Sequence, residues 1–217
     1  VIISGGDPLM LDPEELEFVL SELRGIDRIK VIRISSRVPV VYPEGLKKGH
    51  IRAIRKHAPI WFVVHINHPK EISPQFADSV KKLRKAGAVM VSQSVLLRNV
   101  NDCPHILLRL FESLACHGVK PYYLFQLDEV RGAMHFKVKV KKGIEIMRFL
   151  RKNASGLALP QYSLDIPGGL GKVPIDYRYM KKKSGNLLHL EGLSGRQGIY
   201  ADNGRESVCF KCGLCKS

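Results

Sequence analysis

The chain has 217 residues, 45% of them hydrophobic, and carries a net charge of +15 from 35 basic and 20 acidic residues. That length suits one α/β domain with a real core, and no apolar run approaches the roughly 18 residues that would cross a bilayer as a helix. With no charged-then-apolar signal segment at its start, the reading is a cytoplasmic protein without a membrane partner.

A basic surface suits anionic ligands, nucleic acid or an acidic partner. Here the charge is spread over helices and short clusters such as Lys137 to Lys142 and Lys181 to Lys183. Such clusters read as solvated faces, and no nucleic-acid module accompanies them. Nucleic acid is therefore not an expected partner.

In chain order, Val1 to Ser4 reads as a buried strand running into Gly5-Gly6-Asp7. It opens without an initiator methionine, so a preceding N-terminal part is expected. Pro13 to Leu23 has helical spacing at Leu16, Val19, Leu20 and Leu23, with Asp12 placed to cap it and Pro13 at its first position. Lys30 to Ser35 is a strand, Leu46 to Lys56 a helix, and Ile60 to Ile66 a strand ending at His65. Ser73 caps a helix over Pro74 to Ala86, stopped by Gly87. Ala88 to Val95 is a strand with Gln93 near its end. Asn101 or Asp102 is placed to cap a helix running to about His117. Val119 to Leu127 is a strand ending in Asp128, Lys142 to Lys152 a helix, and Leu157 to Leu164 a last extended segment.

Strands alternating with crossovers of helical length predict a parallel sheet of βα units. Asp7, Arg37, His65, Gln93 and Asp128 recur near the C-terminal ends of successive strands. Active sites of β/α barrels are assembled on that face, which favours a closed or partly closed barrel over an open sheet.

The candidate chemistry lies on those strand ends and in one loop. Arg33, Arg37, His65 and His68 can bind carboxylate or phosphate, or be ordinary hydrogen-bonded residues. Asp128 and Asp165 both precede a break, and can hold a substrate amine or simply cap the surface. Leu164 to Pro174 places Asp165 before three glycines and Lys172, with Pro167 and Pro174 arguing against regular helix or strand there. Lys172 reads as a Schiff-base amine, a phosphate-binding charge or a solvated side chain. Cys209, Cys212 and Cys215 are each separated by two residues, a spacing that suits a tetrahedral metal site or part of an iron–sulfur ligand run. Cys103 or Cys116 can supply a fourth thiol.

Assembled, these motifs resemble the lysine 2,3-aminomutase family of radical S-adenosylmethionine enzymes, which also use pyridoxal phosphate. The match is carried by SGGDPL from Ser4, RISSRVPVV from Arg33, HINHPKEI from His65, QSVLLRNVNDC from Gln93, PYYLFQLD from Pro121, His135-Phe136, KGIEIM from Lys142 and DIPGGLGKVP from Asp165. The resemblance implies a partial (β/α)6 radical-SAM barrel lacking its first unit, with an irregular C-terminal extension. It divides the chain into 1–156, the barrel, and 157–217, the cofactor loop and cysteine-rich extension.

By the same resemblance, Lys172 carries pyridoxal phosphate, and Asp128 and Asp165 bind the ε-ammonium of an L-lysine substrate. Relatives acting on glutamate lack that pair of acids. Gly5, Gly6 and Asp7 match the segment at the methionine end of S-adenosylmethionine, and His65 and Gln93 match polar positions lining the cofactor cavity. Cys103 with Cys209, Cys212 and Cys215 matches a four-thiolate zinc site that joins subunits, although the terminal spacing differs slightly from the family's. A homo-oligomer is implied.

The implied reaction is a radical migration of the amino group from C2 to C3, giving L-β-lysine. The CxxxCxxC motif for the [4Fe–4S] cluster is absent from the 217 residues and is expected upstream. The chain alone is therefore expected to be inactive, and the parent to need an electron donor. Alternatives are the related aminomutase that serves elongation factor P, or a non-catalytic relative binding pyridoxal phosphate or zinc.

Overall fold

The computed structural model describes residues 1–166 and 171–202. The chain packs as two units, Val1–Tyr177 and Arg178–Ser217.

In the first unit, six strands run parallel: β1 (Ile2–Ile3), β2 (Arg33–Ser36), β3 (Ile60–His65), β4 (Ala88–Leu96), β5 (Lys120–Gln126) and β6 (Gln161–Ile166). A seventh, β7 (Gly171–Pro174), pairs antiparallel with β6. Spatial order follows chain order, so each strand lies beside its sequence neighbour. The helices are α1 (Pro13–Arg24), α2 (Val38–Val41), α3 (Lys48–Lys56), α4 (Pro74–Lys85), α5 (Pro104–Cys116) and α6 (Val140–Asn153). The sheet curls into a half-barrel.

The two faces of the sheet differ, because side chains alternate along each strand. Ile34, Phe62 and Met90 align in register and are buried together with Leu16, Leu20, Ile54, Phe76 and Leu83 from the helices. The alternate row is Arg33, Trp61 and Val89, and here Trp61 keeps 41% of its surface exposed. The core therefore sits between sheet and helices, while the concave face is open at Trp61 and buried further along at Val63 and Val91. At α6 the packing is close: a side chain on Gly143 would overlap the Tyr162 ring.

Several local expectations change. β4 runs on to Leu96, so Gln93 lies inside the strand. Its ladder to β5 shifts between Ser92 and Gln93, where Pro121, which lacks a backbone N–H, enters and Tyr122 is left over. Neither Asn101 nor Asp102 caps α5; Cys103 is its N-cap residue. Asn101 is fully buried and ties two strand ends together, its amide donating to the carbonyls of Asn67 and Val95, both at 2.8 Å. Asp102 instead accepts the N–H of Asn99, which sits at φ 61°.

The loop expected to be irregular is half of a hairpin. Gly171–Pro174 forms an edge strand, which tolerates Pro174 because an edge residue need not donate to the ladder. That hairpin also moves the boundary between units. Residues 157–166 and 171–177 belong with the barrel, since β6 pairs with β5 and β7 with β6, and the division between units falls after Tyr177 instead of after residue 156.

Within the second unit, β8 (Met180–Ser184), β9 (Leu187–Glu191) and β10 (Gln197–Ala201) form an antiparallel meander where an irregular extension is expected. Gly185, at φ 59°, opens the turn between the first two. Lys181 pairs with Glu191 across this sheet at 3.2 Å.

Candidate functional site

The hairpin brings Asp165 directly opposite Lys172. Lys172 Nζ donates to Asp165 Oδ2 at 3.0 Å and sits 3.7 Å from the centre of the Phe125 ring. Phe125 stacks on Tyr123, with ring centres 4.9 Å apart and an angle of 27° between planes. The result is a flat aromatic platform carrying an amine. The pair is partly exposed, with 36% of the lysine and 44% of the aspartate side chain accessible, so its contribution to stability is small, about 0–1 kcal/mol.

This platform borders a cavity of about 390 Å³, which Arg33, Gln93, Asp128, Asp165 and Lys172 help to line. Asp128 and Asp165 also line an adjoining cavity of about 780 Å³ with Lys137 and Val138. Both expected acids therefore face the same space as the expected lysine. Gln126 shapes the larger cavity from behind: its amide donates to Val138 O at 2.6 Å and its carbonyl accepts the Tyr162 hydroxyl at 2.5 Å. Burial pushes the Tyr162 phenol up to about 12, so it stays a donor at any physiological pH.

The other expected residues lie toward β1–β4. The Asp7 carboxylate accepts the N–H groups of Leu9, Arg37 and Val38 at 2.7 to 3.2 Å, holding the start of α2. Gly5 and Gly6 precede it at φ 94° and 57°, backbone that favours glycine. Gln93 donates to His65 Nε2 at 2.8 Å. Gln93 reaches the smaller cavity, while Gly5, Gly6, Asp7 and His65 do not line it.

Burial lowers the His65 pKa, with the nearby Arg37 charge lowering it further and Asp7 acting against both. Burial likewise lowers that of His57, whose Nε2 is buried without a hydrogen-bond partner among the described residues. A histidine whose folded pKa lies below its ordinary value of 6.5 binds its proton more readily when unfolded. Both side chains thus favour folding fully above that value, and the benefit is lost as pH falls below it. The denaturation midpoint should drop between pH 7.5 and 5.5, and His57→Asn should flatten the drop; an unchanged slope in that variant would remove His57 from the account.

Arg37 and His68 serve local structure. Arg37 Nη2 pairs with Glu71 at 2.9 Å, and His68 Nδ1 accepts the Lys70 N–H at 3.1 Å. Cys103 is a free, partly exposed thiol at the start of α5. Cys209, Cys212 and Cys215 lie outside the described residues. Among the described residues no three His, Cys, Asp or Glu side chains are grouped to hold a metal.

Phe125, Gln126 and Tyr162 are given no role of their own by the sequence. Phe125 has a signal there: Tyr123 and Phe125 are two apart on one strand, hence on one face. Gln126 and Tyr162 have none, since their partnership crosses 36 residues.

No family model matches the chain. It is 38% identical over 216 residues to the L-lysine 2,3-aminomutase of Methanococcus maripaludis, covering 99% of this chain and 50% of that protein. It is 37% identical over 215 residues to that of Clostridium subterminale, covering 99% and 52%. With the glutamate 2,3-aminomutase of Clostridioides difficile it shares 34% over 196 residues, covering 90% and 46%. The chain thus spans about half the length of the curated relatives it matches. In structure, a domain of pyruvate-formate lyase-activating enzyme from Bacteroides vulgatus superposes with a TM-score of 0.52 at 14% identity, covering 76% of this chain and 97% of that one. That likeness shows the fold alone, a curled β/α sheet closed part of the way to a barrel. Over the half of those proteins that it spans, this chain is similar to the L-lysine and glutamate 2,3-aminomutases.

Proposed function

We infer that the intact protein is an L-lysine 2,3-aminomutase and that this chain supplies its substrate and pyridoxal phosphate site. One observation carries the reading: a lysine amine on an aromatic platform opens into a cavity lined by two aspartates. The residues fit a planar aldehyde cofactor, because the Tyr123–Phe125 pair offers a flat apolar surface at the reach of Lys172. When bound, that cofactor supplies stabilisation of charge or spin on the carbon next to the migrating nitrogen. The chain's own residues anchor, orient and enclose. Lys172 holds the cofactor. Asp128 and Asp165 receive the distal ammonium, and so fix which carbon of the substrate faces the site of hydrogen removal.

The remaining assignments rest on the family. S-adenosylmethionine and a [4Fe–4S] cluster would supply the radical chemistry when bound, and Gly5, Gly6, Asp7, His65 and Gln93 would hold the S-adenosylmethionine side. The two described cysteines, Cys103 and Cys116, are too few to ligate such a cluster. A zinc site of Cys103 with Cys209, Cys212 and Cys215 rests on the resemblance, since the spacing of the thiols alone leaves the fourth ligand open between Cys103 and Cys116.

The test is turnover by the intact protein with S-adenosylmethionine, pyridoxal phosphate and a reductant. L-lysine should yield the isomer carrying its amino group on C3, and L-glutamate should yield almost none. Equal conversion of glutamate would overturn the lysine reading.

A further inference from the structure

Of the four basic side chains named as anion binders, three already have partners. Arg37 is held by Glu71, His65 by Gln93, and His68 by the backbone N–H of Lys70. Arg33 is different. It begins β2 on the concave face and lines the smaller cavity beside Asp128, Asp165 and Lys172. Its Nε is buried with no hydrogen-bond partner among the described residues. A buried donor left unsatisfied costs about 1–3 kcal/mol, and more when charged, so an acceptor entering the cavity would recover that energy. Of the two carboxylates lining the cavity, Asp165 pairs with Lys172, and neither Asp165 nor Asp128 forms an ion pair with Arg33 among the described residues.

We propose that Arg33 is the oxyanion anchor of this cavity, donating to a carboxylate or a phosphate of what binds there. The proposal rests on reading the cavity as an amino-acid and pyridoxal phosphate site, which offers one oxyanion of each kind: the carboxylate of the amino acid and the phosphate of the cofactor. Guanidinium suits both, because its planar fork of N–H groups matches two oxygens at once.

The experiment measures equilibrium binding to the intact protein, comparing unsubstituted protein with Arg33→Met. The probes are L-lysine, L-lysinamide, which lacks the carboxylate, and pyridoxal phosphate. Losing a hydrogen bond to a charged group weakens binding about ten- to 150-fold. If the carboxylate is the ligand, L-lysine falls to the affinity of lysinamide and pyridoxal phosphate is unaffected. If the phosphate is, pyridoxal phosphate weakens and the lysine-to-lysinamide ratio is kept. Unchanged affinity for both oxyanions overturns the proposal.

Should Arg33→Met fail to fold, phenylglyoxal modification of the unsubstituted protein decides instead. L-lysine or pyridoxal phosphate should slow labelling of Arg33, and labelling unaffected by either counts against the anchor. Asp128→Asn separates this from the wider reading. If it leaves lysine affinity intact, the amino-acid site is wrong, while Arg33 still stands or falls on the phosphate arm.

Discussion

Replacing Lys172 by alanine in the intact protein is expected to abolish the visible absorbance of bound pyridoxal phosphate and to reduce turnover to background. Lys172 is the lysine that lines the smaller cavity. The larger one is lined by Lys137, engaged by Glu129 at 2.5 Å, and by Lys139. The strand pairing fixes Lys172 on the concave face, because Asp165 and Lys172 are direct cross-strand partners. Lys172→Arg gives the cleaner control. It keeps a cation facing Asp165 and so preserves the hairpin contact, yet guanidinium cannot condense with an aldehyde. Its absorbance should be lost as completely as in the alanine variant, with an unchanged melting temperature. Lys137→Ala should keep the band. A band that survives Lys172→Arg would move the cofactor to another amine.

The order of strands and helices is readable in the sequence because apolar periodicity and capping residues are local. Leu16 and Leu20 mark the buried side of α1, and Ser73 caps α4 as its sequence suggests, accepting the Phe76 N–H at 3.1 Å. Asp128, Asp165 and Lys172 are also visible, since each stands beside a break in pattern. What is hidden depends on pairing across distance. Pro174 argues against strand until the edge position of β7 is known. Asn101 resembles a helix cap by residue type, but its burial lets it serve two strand ends instead. The run Lys181 to Lys183 reads as solvated charge, and remains exposed, yet lies in a strand because an antiparallel meander needs no buried face to be hydrogen-bonded. Arg33 is legible as a basic residue. Its lack of a partner emerges only when Arg37, His65 and His68 are seen to have theirs.

Asp165→Asn should weaken L-lysine binding by about ten- to 150-fold, the loss of a charge-assisted hydrogen bond, provided Lys172 is covalently engaged by the cofactor. In protein without the cofactor the same substitution should change lysine affinity little. The difference follows from the 3.0 Å contact between Lys172 Nζ and Asp165 Oδ2. While that amine is free and charged, it stands where a substrate ammonium would stand, and it is tethered across the hairpin at high effective concentration. Covalent engagement removes the competing charge and leaves the carboxylate open to the ligand. Lys172→Met in cofactor-free protein should mimic this release and raise lysine affinity, and that gain should vanish when Asp165→Asn is added. Such non-additivity distinguishes competition for one carboxylate from a general loss of positive charge in the cavity, which would raise affinity with or without Asp165. Pyridoxal phosphate absorbance should persist in Asp165→Asn, since the anchor is Lys172. Equal weakening of lysine with and without cofactor would show that the two residues do not compete, and a simultaneous loss of the cofactor band would make Asp165 a support for the hairpin instead of a ligand for substrate.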